Sequence, residues 1–254
     1  MLTQEDPCLA VLDQSFGIHV VQKITERALT LKSVRRPEPY LVRIINSESK
    51  KQQSIDLVKK MYSKKGYKVD HFDFSIKKEA QGQEFTILIE TESSDPLGTL
   101  TVGIDNKNGL YADFLYKKEL DQLRESGSVL CEFRKLAIMP DVKNRRLISS
   151  LFHVALLYTR HFFAVTDCIS EVTPLHSKFY KRFLEASQLG DEKLCPRVNT
   201  NGVLMHLSMI HAEKRALESG GQMSLSHKDK SLYPFFFSPT DAKKMLQRLR
   251  EIHE

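Results

Sequence analysis

The chain has 254 residues, 41% of them hydrophobic, which suffices for one large folded domain or a domain with an appendage. The 38 Lys and Arg outnumber the 32 Asp and Glu, and the net charge of +6 with a pI of about 9.0 favours an anionic partner. Nucleic acid, a phospholipid surface, an acidic carrier protein and a nucleotide cofactor all qualify. The longest apolar run, 147–165, is interrupted by Ser149, Ser150, His153, Arg160 and His161, so no transmembrane segment is expected. Acidic residues precede a short apolar patch at the start, without a basic n-region, and a cytoplasmic protein is the expectation. The four cysteines lack CxxC spacing, which points to buried free thiols and to no metal site.

In chain order, residues 7–30 carry apolar positions at three-to-four spacing (Leu9, Leu12, Phe16, Val20, Ile24, Ala28) and predict a helix with one apolar face. YLVRII (40–45) reads as a strand, and a helix follows from Ser47 or Ser49 to Gly66. EFTILIE (84–90) and GTLTVGI (98–104) flank the turn-forming SSDPLG and predict a hairpin. A short helix over 117–127 leads into the alternating SVLCEFRKLAIMP (128–140), and 144–163 is apolar enough to be a buried central helix. A strand at 168–173, a helix over about 175–186 and a strand at 203–210 complete the pattern before a polar loop. In the tail, SPTD predicts a helix with Ser238 as N-cap, Pro239 in first position and Asp241 three residues on. This order suits an α/β (α+β) fold with one mixed, mostly antiparallel sheet and helices on both faces. The expected divisions are a helical extension (1–36), a central domain (37–211) and a terminal loop and helix (212–254).

Three stretches carry chemistry. CEFRKLAIMP alternates, so Glu132, Arg134 and Leu136 are expected on one side and Cys131, Phe133 and Lys135 on the other. DVKNRRLISSLF puts Arg145 and Arg146 at a helix start, where amide groups and dipole already favour an anion. In EVTPLHSKFYKRF, His176 and Tyr180 stand four apart on one helix face. Taken with KKGY after the first long helix and ELDQLRESG before the strand, the joint pattern CExxKLAI and PxHxxFY resembles the N-acyl amino acid synthases. These are a branch of the GNAT superfamily related to the acyl-homoserine-lactone synthases. The resemblance covers roughly 40–210 and leaves the two ends unexplained.

The resemblance implies a GNAT-like sheet and a bacterial, cytoplasmic N-acyltransferase. It would move a long acyl group from acyl carrier protein, or acyl-CoA, to the amine of an amino acid or similar small amine. Acyl transfer to an amine requires a neutral nitrogen, a stabilised oxyanion and a proton for the departing thiolate. The resemblance places Glu132 at the acceptor ammonium, Tyr180 at the thiolate and His176 at the carbonyl. Backbone amides of Leu136, Ala137 and Ile138 fall at the oxyanion, and Arg145 and Arg146 at a phosphopantetheine phosphate. Tyr62, Tyr67, Phe133 and Arg134 are the candidates for substrate contacts. DVKNRRLIS contains no Gly, unlike the pyrophosphate turn of acetyl-CoA enzymes, which favours the single phosphate of a carrier protein. The basic clusters around Lys64, Arg145 and Lys181 fit an acidic carrier, and no aromatic-interleaved motif points to nucleic acid.

Each residue has a plainer alternative. Glu132 fits a strand ion pair, His176 a turn cap, Tyr180 core packing with Phe179 and Phe183, and the two arginines a solvated helix end. A catalytically silent acyl-carrier-binding module and an acetyl-CoA-dependent small-molecule N-acetyltransferase are the competing functions.

Overall fold

The structure, a computed structural model, describes residues 6–12, 18–20, 39–67, 84–140, 145–196 and 199–253. Its elements are β1 (Cys8–Leu12), β2 (Ile18–Val20), β3 (Tyr40–Ile45), α1 (Glu48–Ser63), β4 (Glu84–Thr91), β5 (Pro96–Ile104), α2 (Asp113–Glu125) and β6 (Leu130–Ile138). Then come α3 (Arg145–Phe163), β7 (Asp167–Val172), α4 (Pro174–Phe183), β8 (Ser187–Gln188), β9 (Lys193–Cys195), β10 (Thr200–Ser208), α5 (Met209–Ser219) and α6 (Pro239–His253). Among the described residues, ten strands form one sheet in the order β2-β1-β3-β4-β5-β6-β7-β10-β8, with β9 also on β10. Every pair is antiparallel except β6 with β7, which is parallel.

Alternation along the strands sorts the two layers. Leu100 and Val102 of β5 and Cys131 and Phe133 of β6 join the core built on α3, while Leu130 and Ile169 pack with Tyr116 and Leu120 of α2. Leu57, Val58 and Met61 of α1 cover Ala137 on that second face. Gly98 lets α3 lie close, because a Cβ there would stand 2.8 Å from Leu147 Cδ2.

The start of the chain departs from expectation. The described parts of 7–30 are strands β1 and β2 rather than an amphipathic helix, and the remainder lies outside the described residues. Its three-to-four pattern gives way to sheet pairing, with Ala10 opposite both Val20 and Val42. Buried Asp6 fastens the stretch to the β3–α1 turn, accepting from Asn46 N at 2.5 Å and Ser47 N at 2.8 Å.

The end departs as well. Helix α5, absent from the sequence-based order, begins where β10 ends, with Ser208 Oγ accepting from His211 N. The aromatic run after it forms a short 3-10 turn, Tyr233–Phe235, packed into the core. Ser238 does cap α6, its Oγ accepting from Asp241 N at 3.2 Å while contacting Asp241 Oδ2 at 2.7 Å.

Candidate active site

The β6–β7 pair is short. Its parallel register runs only over Leu130, Cys131 and Glu132 opposite Asp167, Cys168 and Ile169, and beyond it the strands have no shared ladder. Two local features set this opening. Lys135 has φ of 52°, and β6 shifts register against β5 between the pairs at Thr99 and Thr101. This bulge overturns the expected alternation: Leu136 and Ile138 turn to the α3 core, while Ala137 faces α1. Met139 N donates to Leu97 O at 2.8 Å. Strand alternation then directs the Leu136 and Ile138 amides to the open side of β6, and that of Ala137 to β5.

Glu132 is the last residue of β6 paired with β7, only 3% exposed, and its Oε2 accepts from Tyr111 N at 2.8 Å. Two positions on, Arg134 stacks on the Tyr111 ring with its guanidinium carbon 4.0 Å from the centroid, and its Nη2 donates to Glu84. Its Nε is buried and has no hydrogen-bond partner among the described residues. Glu132, Arg134, Tyr111 and Glu84 thus form a polar site on the α1–α2 face.

On the other side of the opening, α4 starts after Thr173 with Pro174 in first position. Tyr180 is buried and borders the same small cavity as Ser170, the first residue of β7 past the segment paired with β6. Burial pushes its phenol far above the usual tyrosine range, and the Tyr62 phenol is near enough to add to the shift. Tyr62 itself is driven to about 12 by burial and by Tyr67, whose ring lies edge-on at 5.8 Å. Tyr180 also meets Phe152 and Phe179 edge-on at 6.4 and 5.6 Å, so the packing and the buried hydroxyl coexist.

His176 bridges two helices. Its Nδ1 lies 2.9 Å from Thr173 Oγ1, and its Nε2 lies 2.9 Å from Lys65 Nζ beyond the end of α1. An ammonium can only donate, so Nε2 accepts and the Nδ1 proton goes to Thr173. Burial, then the Lys65 charge, hold His176 below its ordinary value, and burial lowers Lys65. His176 is therefore a turn residue that also ties α4 to α1 across the opening.

Phe133 belongs to the α3 face, not with Arg134. It lines two small apolar cavities of about 10 Å³ each, the first bordered by Tyr180 and Ser170. At the start of α3, Arg145 lies with its guanidinium carbon 5.6 Å from both the Phe183 and Phe235 rings, and Arg146 Nε lies 2.9 Å from Met223 Sδ. The two arginines are thus held by the tail and α4 at the helix N-terminus. Lys65, Tyr111, Ser170 and Glu84 went unremarked in the sequence. KKGY singles out the neighbourhood of Lys65, but nothing local distinguishes the other three. Among the described residues, no cluster of three His, Cys, Asp or Glu is placed to hold a metal ion.

A mostly antiparallel sheet whose one parallel pair opens beside a long helix is a GNAT-like fold. Within that class the chain belongs to the N-acyl amino acid synthase FeeM family, whose model matches residues 53–208. The solved structure of FeeM, an N-acyl amino acid synthase from uncultured soil microbes, superposes with a TM-score of 0.61 at 22% identity, covering 70% of this chain and 95% of that one. The acyl-homoserine-lactone synthase LasI matches with a TM-score of 0.47 at 13% identity over 68% of this chain and 91% of its own. A variant of the spermidine N-acetyltransferase SpeG from Vibrio cholerae matches with a TM-score of 0.45 at 12% identity, over 70% and 98%. A comparison with curated protein sequences gave no match. No helix of the described residues is long and apolar enough to cross a membrane.

Proposed function

We propose that the protein transfers a long acyl group from a phosphopantetheine thioester to the α-amine of an amino acid. The observation that carries this reading is the opening past Glu132 and Ile169. It has a polar acid–arginine site on one face and the buried Tyr180 hydroxyl, bordering an apolar cavity, on the other.

Glu132 takes a proton from the acceptor ammonium, leaving a neutral nitrogen. The Arg134 guanidinium holds the acceptor carboxylate, to which its Nε is a free donor. The nitrogen attacks the thioester carbonyl, forming the C–N bond, and the oxyanion is met by the outward amides of Leu136 and Ile138. The C–S bond then breaks, and Tyr180, held protonated by burial, gives its proton to the departing thiolate. The second nitrogen-bound proton goes to solvent, which also reprotonates Tyr180. His176 and Lys65 hold the α1 end against α4 and so position Tyr62 beside Tyr180. Tyr67 supports Tyr62 in turn.

A long acyl group rather than acetyl is the donor suggested by the N-acyl amino acid synthase family to which the chain belongs. Acyl carrier protein is the donor favoured by the basic, exposed face of α4 (Lys178, Lys181, Arg182) with Leu175, 74% exposed, beside it. Arg145 and Arg146 at the α3 N-terminus receive the phosphate, and the reaction takes place in the cytoplasm, where carrier proteins are found.

Mass spectrometry of lipid extracts from bacteria expressing the protein tests the reading. New N-acyl amino acids should appear with the natural sequence and vanish in a Glu132→Gln, Tyr180→Phe double variant. Soluble, folded protein that yields no new lipid overturns it.

A further inference from the structure

The loop between β5 and α2 is tied down along its length. Asp105 and Asp113, at its two ends, both accept from the Arg124 guanidinium, at 2.7 Å each. Between them Gly109 N donates to Asn106 O at 2.8 Å, and Gly109 takes a φ of 76° that a residue with a side chain adopts at a cost. Leu110 N donates to Asp113 Oδ2 at 2.6 Å. These bonds fix the position of the next residue, Tyr111, against β6.

Tyr111 meets both charged groups of the acceptor face, with different parts of itself. Its N–H donates to Glu132 Oε2, whereas its ring meets Arg134, the guanidinium carbon standing 4.0 Å from the centroid. On β5, a Cβ at Gly103 would stand 3.4, 3.6 and 3.7 Å from Arg134 Nη2, Cζ and Nε, so the guanidinium packs where there is no side chain to displace it. Glu84 accepts from Nη2. Ring, bare backbone and carboxylate together orient the group, and its Nε is left without a hydrogen-bond partner among the described residues. A long, flexible arginine without such support would have to be ordered by its ligand, at the ligand's expense.

We infer that Tyr111 is a positioning residue for the acceptor: its ring holds the Arg134 fork ready for a carboxylate and so sets a preference for amino acids over amines that lack one. The inference rests on the acyl-transfer reading above. Without the ring, Arg134 keeps its charge and its tie to Glu84 but loses its orientation, and the loss falls on binding of the carboxylate. The contact to Glu132 is made by the backbone and survives a change of side chain, so proton removal from the ammonium is spared.

The test is steady-state kinetics of the full chain, with acyl carrier protein bearing a mixture of long acyl chains and the matching acyl-CoAs as donors. Two acceptors are compared, the best substrate among the common amino acids and the carboxamide of that amino acid. The natural sequence should favour the acid over the amide about 10–100-fold in kcat/KM, the worth of a charge-assisted pair. Tyr111→Leu should raise KM for the acid about 10-fold at unchanged kcat and leave both constants for the amide as they were. Tyr111→Phe, which keeps the ring, should recover the low KM for the acid. If Tyr111→Leu does not fold, Tyr111→Met, which keeps bulk without a ring, takes its place. A natural sequence without preference for the acid, an acid-to-amide ratio unmoved in the folded variant, or equal losses with the two acceptors each overturn the inference and leave the acyl-transfer reading standing. Failure of the natural sequence to acylate any amino acid or carboxamide removes that reading, and the role of Tyr111 with it.

Discussion

At the scale of single residues, the site is held by groups whose charge state is set by burial. Tyr180→Phe removes one hydroxyl from a packed ring and should lower turnover about 10²–10⁴-fold, the range for a positioned acid, while stability changes by about 1 kcal/mol. Steady-state rates beside a denaturant melt check this; a wild-type rate would remove Tyr180 from the chemistry. Lys65→Met should raise the His176 titration, because the Lys65 charge adds to burial in holding it down. Imidazole NMR reads the shift directly, and an unmoved titration would mean that the bridge does not form in solution. His153 makes a separate prediction. Buried, accepting from Phe237 N, it is held neutral to about 3, below its ordinary 6.5. The unfolded chain therefore binds one more proton than the native one between those values. His153 thus costs no stability above pH 6.5 and progressively more as pH falls towards 3, by about 1.4 kcal/mol per pH unit. Denaturation from pH 6 to 4 should show this slope, and His153→Asn, which keeps an acceptor, should abolish its share.

Among the elements, β6 decides most. Lys135 occupies a left-handed conformation that directs the following amides, so Lys135→Gly should keep the opening. Lys135→Val should cost about 1–2 kcal/mol and lose a larger share of activity than of stability. Paired melts and rates separate the two effects. Apart from the short strands β8 and β9, the strands and helices between 40 and 208 were legible in the sequence because of local patterns such as the turn between the apolar β4 and β5 and the apolar run of α3, and beyond them α6 was marked by its cap. The bulge was not, since KLAI alternates acceptably without one. Helix α5 was hidden because MIHAEKRALES follows β10 directly, with only Ser208 to mark the boundary. At the N-terminus, the three-to-four spacing of Leu9, Leu12, Phe16 and Val20 pointed to a helix, yet β3 offered an edge to pair with and the chain took it.

On the scale of the whole molecule, the segments outside the family-matched stretch belong to the same core as the site. Leu9 and Ala10 from the start and Phe237, Met245 and Leu249 from the end join Phe152 and Leu156 of α3 in one apolar cluster. Leu249→Ala should therefore cost about 2–5 kcal/mol and shift a single cooperative transition rather than release α6 alone. Denaturation followed by both circular dichroism and tyrosine fluorescence tests this, and two separate transitions would contradict it. By itself, the sequence determined the sheet-and-helix order, the charge and the local spacing that put Glu132 on a strand and His176 with Tyr180 on one helix face. Those features depend on residues near one another in the chain, and their periodicity is written there. The tertiary structure decided where β6 and β7 part and that Lys65 meets His176 across 111 positions. Each of these joins residues far apart in sequence, and only the balance of burial and pairing over the whole chain brings them together.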